Sequence, residues 1–171
     1  MLLPVVVILV GLLPSGPLPP RLLRPQRASL PLSLAESRSG LLYAERIREY
    51  APSLLPKLEG LEDQDLDTID QLQKELEPSV SYLLQSTTAP TAASTLRLGL
   101  EVAYIAHLGQ RRRSGEAYII HPVKVACILG QSQMDLVSVV SGLLHDTVED
   151  TALTLSELDA LFGVETRRIV E

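Results

Sequence analysis

Apolar side chains recur at helical spacing along most of the chain beyond residue 40. In residues 136–144 leucines and valines return every three or four positions, which places them on one buried face of a helix. Similar runs predict further helices at 41–58, 61–84, 95–109, after Pro122 and at 155–162. The first of these is interrupted near Pro52 and Pro56, and the second at Pro78. No stretch alternates apolar and polar residues as a half-buried strand does, so the pattern predicts an all-α fold.

Local sequence signals mark several ends of these helices. Residues 87–94, rich in threonine, alanine and proline, are predicted to form a loop before the next helix. Pro122 suits the first position of a helix, because its missing N–H would have no partner there. Thr154 and Glu157 form a predicted capping box, and Gly163 follows the same helix as its C-terminal glycine.

The first forty residues differ in composition from the rest of the chain. Residues 1–13 are almost wholly apolar, but a helix that spans a membrane needs about 20 such residues. Residues 11–35 contain arginines, serines and prolines but no acidic residue, which is typical of organelle transit peptides. We therefore predict a targeting leader over 1–40, suited to a plastid enclosed by extra membranes, and no stable transmembrane segment. A plain secretory signal peptide and a wrongly predicted N-terminus are the alternatives.

The distribution of charge divides the rest of the chain, residues 41–171, into two parts. Residues 41–94 are acidic and are predicted to form a helical extension and linker, whose solvated face accompanies a domain over 95–171. The formal net charge of −6 argues against direct binding to nucleic acid. Cys127 is the single cysteine, so no disulfide can form within the chain, and its apolar neighbours predict a small buried side chain.

A charged hexad, HDTVED at residues 145–150, carries the strongest chemical signal in the chain. It directly follows the apolar helix predicted over 136–144, and we expect it to form the last turn or two of that helix. Neighbouring side chains on a helix diverge by about 100°, so His145 and Asp146 can straddle one cation. Glu149 and Asp150 return beside them one turn later.

His121 is the candidate that closes this site from a second segment, since it stands at the predicted start of another helix. Imidazole and carboxylate ligands together suit Zn, Mn, Fe or Co, and an open position on such a site can hold an activated water. The spacing does not choose the metal. The plainer interpretation is a solvated or hydrogen-bonded His-Asp pair with no metal role.

Three consecutive arginines precede His121, in the stretch RRRSGEAY at residues 111–118. Guanidinium groups match phosphate oxygens with paired hydrogen bonds, and Gly115 allows the backbone to approach a ligand closely. Tyr118 adds an aromatic face and a hydroxyl that could meet a base or a ribose. The plainer interpretations are a solvated helix end for the arginines and a core-edge position for Tyr118.

These residues resemble the hydrolase domain of RelA/SpoT homologues, enzymes that make and destroy the alarmone (p)ppGpp. The motif AH-x-GQ-x-R-x-SGE-x-Y-I-x-HP is matched over 106–122, with Ala117 where most relatives have proline, and LLHDTVEDT over 143–151 is similar to chloroplast members from plants and algae. The resemblance covers about 95–171 and implies an all-α HD-type phosphohydrolase fold, incomplete at the C-terminus.

The resemblance also implies roles for individual residues. It assigns Mn²⁺ binding to His121, His145 and Asp146, with a fourth ligand, an aspartate, expected beyond Glu171. It assigns hydrolysis to Glu149 and Asp150, and nucleotide binding to Arg112, Arg113 and Tyr118. Because one ligand is missing, we expect this chain by itself to bind metal weakly.

The implied reaction is removal of the 3′-pyrophosphate from guanosine tetraphosphate or pentaphosphate, giving GDP or GTP. A parent protein of this family can also carry GTP diphosphokinase activity. The main alternative is a truncated, non-catalytic helical module that binds guanine nucleotide or a partner. A third hypothesis keeps the HD phosphohydrolase chemistry but has another nucleotide as the substrate.

Overall fold

The structure is a computed structural model that describes residues 41–171, so the leader predicted for 1–40 lies outside the described residues. Within 41–171 the chain is helical, with a single isolated β-bridge between Arg111 and Ala117. The helices are α1 (Ala44–Tyr50), α2 (Leu55–Leu58), α3 (Asp63–Leu76), α4 (Ser81–Leu84), α5 (Ala89–Ala106), α6 (Ile120–Gln131), α7 (Leu136–Leu144), α8 (Thr147–Asp150), α9 (Leu155–Phe162) and α10 (Val164–Val170), with 3-10 turns at Pro52–Leu54 and Glu77–Val80. The predicted all-α fold is confirmed.

Several predicted helix ends agree with the structure. The interruptions near Pro52 and Pro78 are 3-10 turns. The capping box of α9 is present, because Thr154 accepts the N–H of Glu157 and the Glu157 carboxylate accepts the N–H of Thr154. Gly163 ends this helix with a φ of 87°, a conformation that favours glycine.

Two predicted helix starts are wrong, that of α5 by six residues and that of α6 by two. Helix α5 begins at Ala89, so most of the predicted loop is helical; Pro90 lies in the first turn, where its missing N–H removes no helical hydrogen bond. Helix α6 begins at Ile120, which puts Pro122 at the third position instead of the first. Cys127, on the same helix, is half-buried and not fully buried.

The largest difference from the sequence prediction lies at the charged hexad. Helix α7 stops at Leu144, and Thr147 begins the separate single-turn helix α8. Side chains satisfy the final carbonyls of α7: His145 Nδ1 lies 2.9 Å from the Gly142 oxygen, and the Thr147 hydroxyl donates to the Leu144 oxygen at 2.7 Å. These bonds replace the backbone hydrogen bonds that would have continued the helix.

Helix α7 is the centre of the core, where it packs against α5, α6 and α10. Its side chains Val139, Leu143 and Leu144 are fully buried. Gly142 faces α6 so closely that a Cβ atom there would lie 2.6 Å from Leu129 Cδ1. The missing side chain therefore lets α6 approach α7 at the end where the hexad begins.

The acidic segment before α5 contributes to the same core. Ile47, Leu54 and Ile69 from this segment are fully buried, and residues 41–171 belong to one compact unit. The boundary predicted at residue 94 stays a prediction, but hydrophobic burial is continuous across it. Within 41–171 no helix has both the length and the hydrophobicity needed to cross a membrane.

Candidate metal and phosphate site

A tight loop between α5 and α6 carries the arginines. Tyr118 N donates to the Gln110 oxygen at 3.0 Å, and Arg111 pairs with Ala117 in the isolated bridge. At the tip of the loop Gly115 has a φ of 87° and donates its N–H to the Arg112 oxygen at 2.8 Å. The loop is therefore a short hairpin with an exposed tip.

The hairpin presents its basic side chains to solvent. The three arginines and Ser114 are exposed, and together with Tyr118 they line one open pocket: Arg111, Arg112, Arg113, Ser114 and Tyr118. The two arginines predicted to bind nucleotide are thus adjacent to the predicted aromatic residue. An open, cationic pocket of this kind suits a phosphate group that must enter and leave.

The predicted metal ligands come together from α6 and from the turn after α7. One ligand atom each from His121, His145 and Asp146 lies within 4.8 Å of the other two. His121 Nε2 is 3.6 Å from Asp146 Oδ2, and His145 Nε2 is 3.0 Å from Asp146 Oδ1. All three side chains are partly buried, so the cluster is open to solvent on one side.

The hydrogen bonding of His145 fits a cation at this point. A carbonyl oxygen only accepts, so the contact with the Gly142 oxygen places a hydrogen on His145 Nδ1. In the neutral ring Nε2 then has a lone pair, which faces Asp146 Oδ1. Two electron-rich atoms 3.0 Å apart attract a proton or a metal ion between them.

His121 is also suited to act as a ligand. Partial burial, together with the positive charge of Arg112 and the neighbouring His145, lowers the pKa of His121 below its ordinary value. The imidazole therefore stays neutral to a lower pH than a solvated histidine. Because only the neutral ring binds metal, this shift favours coordination near neutral pH.

Tyr118 connects the metal cluster to the second half of the hexad. Its hydroxyl lies 2.8 Å from Asp146 Oδ2 and 2.7 Å from Asp150 Oδ2. The hydrogen bond to Asp150, then burial and the hydrogen bond to Asp146, raise the pKa of Tyr118 above its ordinary value. The phenol therefore stays protonated and donates its one hydrogen to one carboxylate at a time. The predicted nucleotide contact through this hydroxyl stays a prediction.

The two carboxylates predicted to act in hydrolysis have different surroundings. Asp150 is exposed but is tied through Tyr118 to the metal cluster. Glu149 is exposed and makes no hydrogen bond or ion pair among residues 41–171. The structure thus brings Asp150 to the predicted ligands and leaves the Glu149 side chain free.

His107 and Gln110 also belong to this site, although no role was predicted for either residue. The His107 ring stacks on Tyr118 with ring centroids 4.5 Å apart and an interplanar angle of 18°. Gln110 contacts both His107 Nδ1 and the main-chain oxygen of Asp150. The available signal was their place inside the same motif as Arg112 and Tyr118, in AH-x-GQ.

Comparison with known proteins agrees with this geometry. A family model described as an HD domain matches residues 99–171, which include every residue of the site. An RSH1 protein of Oryza sativa subsp. japonica, named as a chloroplastic GTP diphosphokinase, is 48% identical over 103 residues. The bifunctional (p)ppGpp synthase/hydrolase SpoT of Escherichia coli K12 is 42% identical over 93 residues. Residues 99–171 thus match an HD domain, and the chain is similar to RelA/SpoT proteins.

These relatives are much longer proteins. The match with the rice protein covers 60% of this chain and 11% of the relative, and the match with SpoT covers 54% and 13%. A Synechocystis protein named as a guanosine-3′,5′-bis(diphosphate) 3′-pyrophosphohydrolase is 41% identical over 61% of this chain and 13% of its own length. The chain therefore spans about an eighth of these relatives.

Proposed function

We propose that this chain carries the hydrolase site of a (p)ppGpp 3′-pyrophosphohydrolase. The observation that carries the proposal is the convergence of His121, His145 and Asp146 within 4.8 Å, beside an arginine pocket. A metal-ligand cluster next to a phosphate-binding surface is the arrangement that hydrolysis of a phosphoric anhydride or ester needs. The names of SpoT and of the Synechocystis relative supply the substrate class.

The donor set fits a divalent cation, and we propose Mn²⁺. Two imidazole nitrogens of intermediate hardness and one hard carboxylate oxygen together suit first-row metals. Bound there, the ion would act as a Lewis acid and lower the pKa of a water molecule toward neutrality. An aspartate beyond Glu171 remains the predicted fourth ligand.

The other site residues would handle the proton and the phosphates. Arg112 and Arg113 bind the phosphate oxygens and offset the charge of the departing pyrophosphate. Asp150 accepts a hydrogen bond from Tyr118 beside the metal cluster, so it is the better-placed proton acceptor. Glu149, which has no partner among the described residues, is free to orient the water or to relay the proton to solvent.

Release of pyrophosphate from ppGpp in the presence of Mn²⁺ tests the proposal. The assay compares this chain with a version extended by the genomic sequence beyond Glu171, since we expect the extension to restore the fourth ligand. His145→Ala and Asp146→Asn should abolish release, whereas Asp67→Asn, an exposed position on α3, should leave it unchanged. An inactive extended protein, or activity that survives His145→Ala, would show that the proposal is wrong. Binding of ppGpp without hydrolysis would favour a non-catalytic module.

We also propose that the parent protein has GTP diphosphokinase activity and acts in a plastid. The rice relative is named as a chloroplastic GTP diphosphokinase, and another relative comes from a cyanobacterium. The extended protein should transfer pyrophosphate from ATP to GTP.

Residues 1–40 fused to a fluorescent protein should direct it to the plastid of an algal cell, and secretion of the fusion would favour the signal-peptide alternative.

A further inference from the structure

His107 is the one histidine of the site that is not a predicted metal ligand. It follows the last residue of α5, its side chain is only 3% exposed, and one face of its ring is covered by Tyr118. Burial lowers the pKa of His107, so the ring stays neutral to a lower pH than a solvated histidine does. Its position beneath Tyr118 puts it in contact with the group that joins Asp146 to Asp150.

The hydrogen bonds around Gln110 fix which nitrogen of His107 carries the hydrogen. The main-chain oxygen of Asp150 can only accept, so the group 2.9 Å from it is the Gln110 amide nitrogen. Gln110 Oε1 therefore faces His107 Nδ1, at 2.8 Å, and accepts its hydrogen. In the neutral ring His107 Nε2 has no hydrogen and can only accept.

His107 Nε2 has no hydrogen-bond partner among the described residues, although it is buried. A buried acceptor without a donor opposes folding, so an apolar ring of the same shape would suit this space at least as well. Stability of the fold therefore does not explain a histidine here. What the imidazole provides is the Nδ1–H donor on a flat ring.

Both features act on groups of the proposed hydrolase site. Through Gln110, the Nδ1–H donor holds the main chain of Asp150 at the end of α8. Through stacking, the ring holds Tyr118, whose hydroxyl contacts the carboxylates of Asp146 and Asp150. We propose that His107 and Gln110 are positioning residues that set the place of Asp150 relative to the metal ligand Asp146. This inference rests on the proposed function.

Two substitutions test the hydrogen bond from Gln110 to Asp150 separately from the stacking of His107 on Tyr118. Gln110→Glu keeps an acceptor for His107 Nδ1 but removes the donor to the Asp150 oxygen. His107→Phe keeps a ring against Tyr118 but removes the donor to Gln110. Gln71→Glu is the matched control, since Gln71 is exposed on α3 and makes no hydrogen bond among the described residues.

The kinetic test uses whichever form of the protein hydrolyses ppGpp. Both variants should lower kcat by about 10- to 100-fold, the usual effect of losing a partner of a metal-site residue, with little change in KM or Tm. Gln71→Glu should match the wild type. Wild-type kcat in Gln110→Glu, or a loss of activity that only parallels a loss of Tm, overturns the inference. If His107→Phe fails to fold, Gln110→Glu decides.

An independent measurement does not require activity. The chain has three histidines, so long-range ¹H–¹⁵N spectra at mildly alkaline pH can be assigned with single variants. His107 should be the Nδ1–H tautomer, and Gln110→Leu should shift it toward Nε2–H. An Nε2–H tautomer in the wild type overturns the inference. Absence of hydrolysis by every wild-type form overturns the proposed function and the inference with it, whereas unaffected variants of an active protein overturn the inference alone.

Discussion

At the scale of single residues, two of the three predicted metal ligands, His145 and Asp146, form hydrogen bonds with neighbouring groups that orient them. His145 donates Nδ1–H to the last turn of α7, and this bond turns Nε2 toward Asp146. Asp146 in turn accepts from Tyr118. Such outer hydrogen bonds fix the direction of the ligand lone pairs before metal arrives. The segment after α7 is therefore preorganised for a metal ion.

Metal binding should be visible as a gain in thermal stability. We expect Mn²⁺ to raise the Tm of the wild type, because a ligand at about 100 times its Kd stabilises the folded state by about 2.7 kcal/mol. His121→Ala and Asp146→Asn should remove this gain, since each deletes one of three ligands. Differential scanning fluorimetry with and without Mn²⁺ measures the effect. An equal rise in the Asp146→Asn variant would contradict the assigned site, and Asp67→Asn serves as the control.

Burial of His107 should make stability depend on pH. Its pKa is lowered in the folded state, so the unfolded chain takes up a proton as the pH falls below about 6.5 while the folded chain does not. The free energy of unfolding should therefore decrease as the pH is lowered through this range. The lowered pKa of His121 contributes in the same direction. Denaturant unfolding at about pH 7.5 and about pH 5.5 should show a smaller loss for His107→Phe than for the wild type. An identical loss would show that His107 does not titrate on unfolding.

At the scale of helices, close contacts at two glycines determine the position of α6 and so of the site. Gly142 on α7 leaves room for Leu129 of α6, and Gly130 at the end of α6 lies against the Glu77–Val80 turn. A Cβ atom at position 130 would lie 2.7 Å from the main-chain oxygen of Ser79. Main chain cannot move aside as a side chain can, so this contact fixes α6, which carries His121.

Alanine substitutions at two helical glycines should have different effects. Gly130→Ala should destabilise the protein by about 1–3 kcal/mol, because overpacking against Ser79 outweighs the better helix propensity of alanine. Gly99→Ala on α5 is the control: its Cβ would lie 3.4 Å from Leu143, an ordinary contact, so it should be neutral or stabilising. Chemical denaturation of both variants checks this. Equal effects would mean that helix propensity alone decides.

At the scale of the whole molecule, a buried ionic network joins the acidic segment to α5. The Glu101 carboxylate is fully buried and accepts from Arg97 Nε at 2.7 Å and from the N–H groups of Leu42 and Tyr43. Arg97 also donates to Asp70 on α3. Further links come from Ser53, which donates twice to the Glu157 carboxylate. The acidic segment thus supplies partners that α5 and α9 need.

Removal of one partner of this network should be costly. Arg97→Met should lower the free energy of unfolding by about 3–5 kcal/mol, because it leaves the Glu101 charge buried without its cation. Arg48→Met is the matched control: its ion pair with Glu45 has both side chains at least half exposed, so the loss should stay below about 1 kcal/mol. Urea unfolding of both variants measures the difference. Similar small losses would show that the buried pair of Arg97 and Glu101 stabilises the fold no more than an exposed pair does.

A shortened chain of residues 95–171 tests whether this part folds without the acidic segment. We expect it to lack a cooperative unfolding transition, because it would expose the core surface that Ile47, Leu54 and Ile69 cover. Residues 41–171 should unfold as the full chain does. Circular dichroism during heating distinguishes the two, and a cooperative transition in 95–171 would support an independent domain there.

The sequence by itself determined the helical class, the capping box of α9 and the identity of the ligand candidates. Those features depend on residue type and short-range spacing, which periodicity and motifs report directly. His121, His145 and Asp146 were named from two segments 24 residues apart, and the structure brings their ligand atoms within 4.8 Å.

Only the tertiary structure decided how these parts are joined. The break after Leu144, the bridge from Tyr118 to two carboxylates, the His107–Gln110 link to Asp150 and the burial of Glu101 all depend on hydrogen bonds from side chains to other groups. Such bonds join residues that are remote in sequence or compete with the backbone locally, so they leave no periodic signal. The motif specified which groups could react, and the packing of α5, α6 and α7 fixed which of them meet.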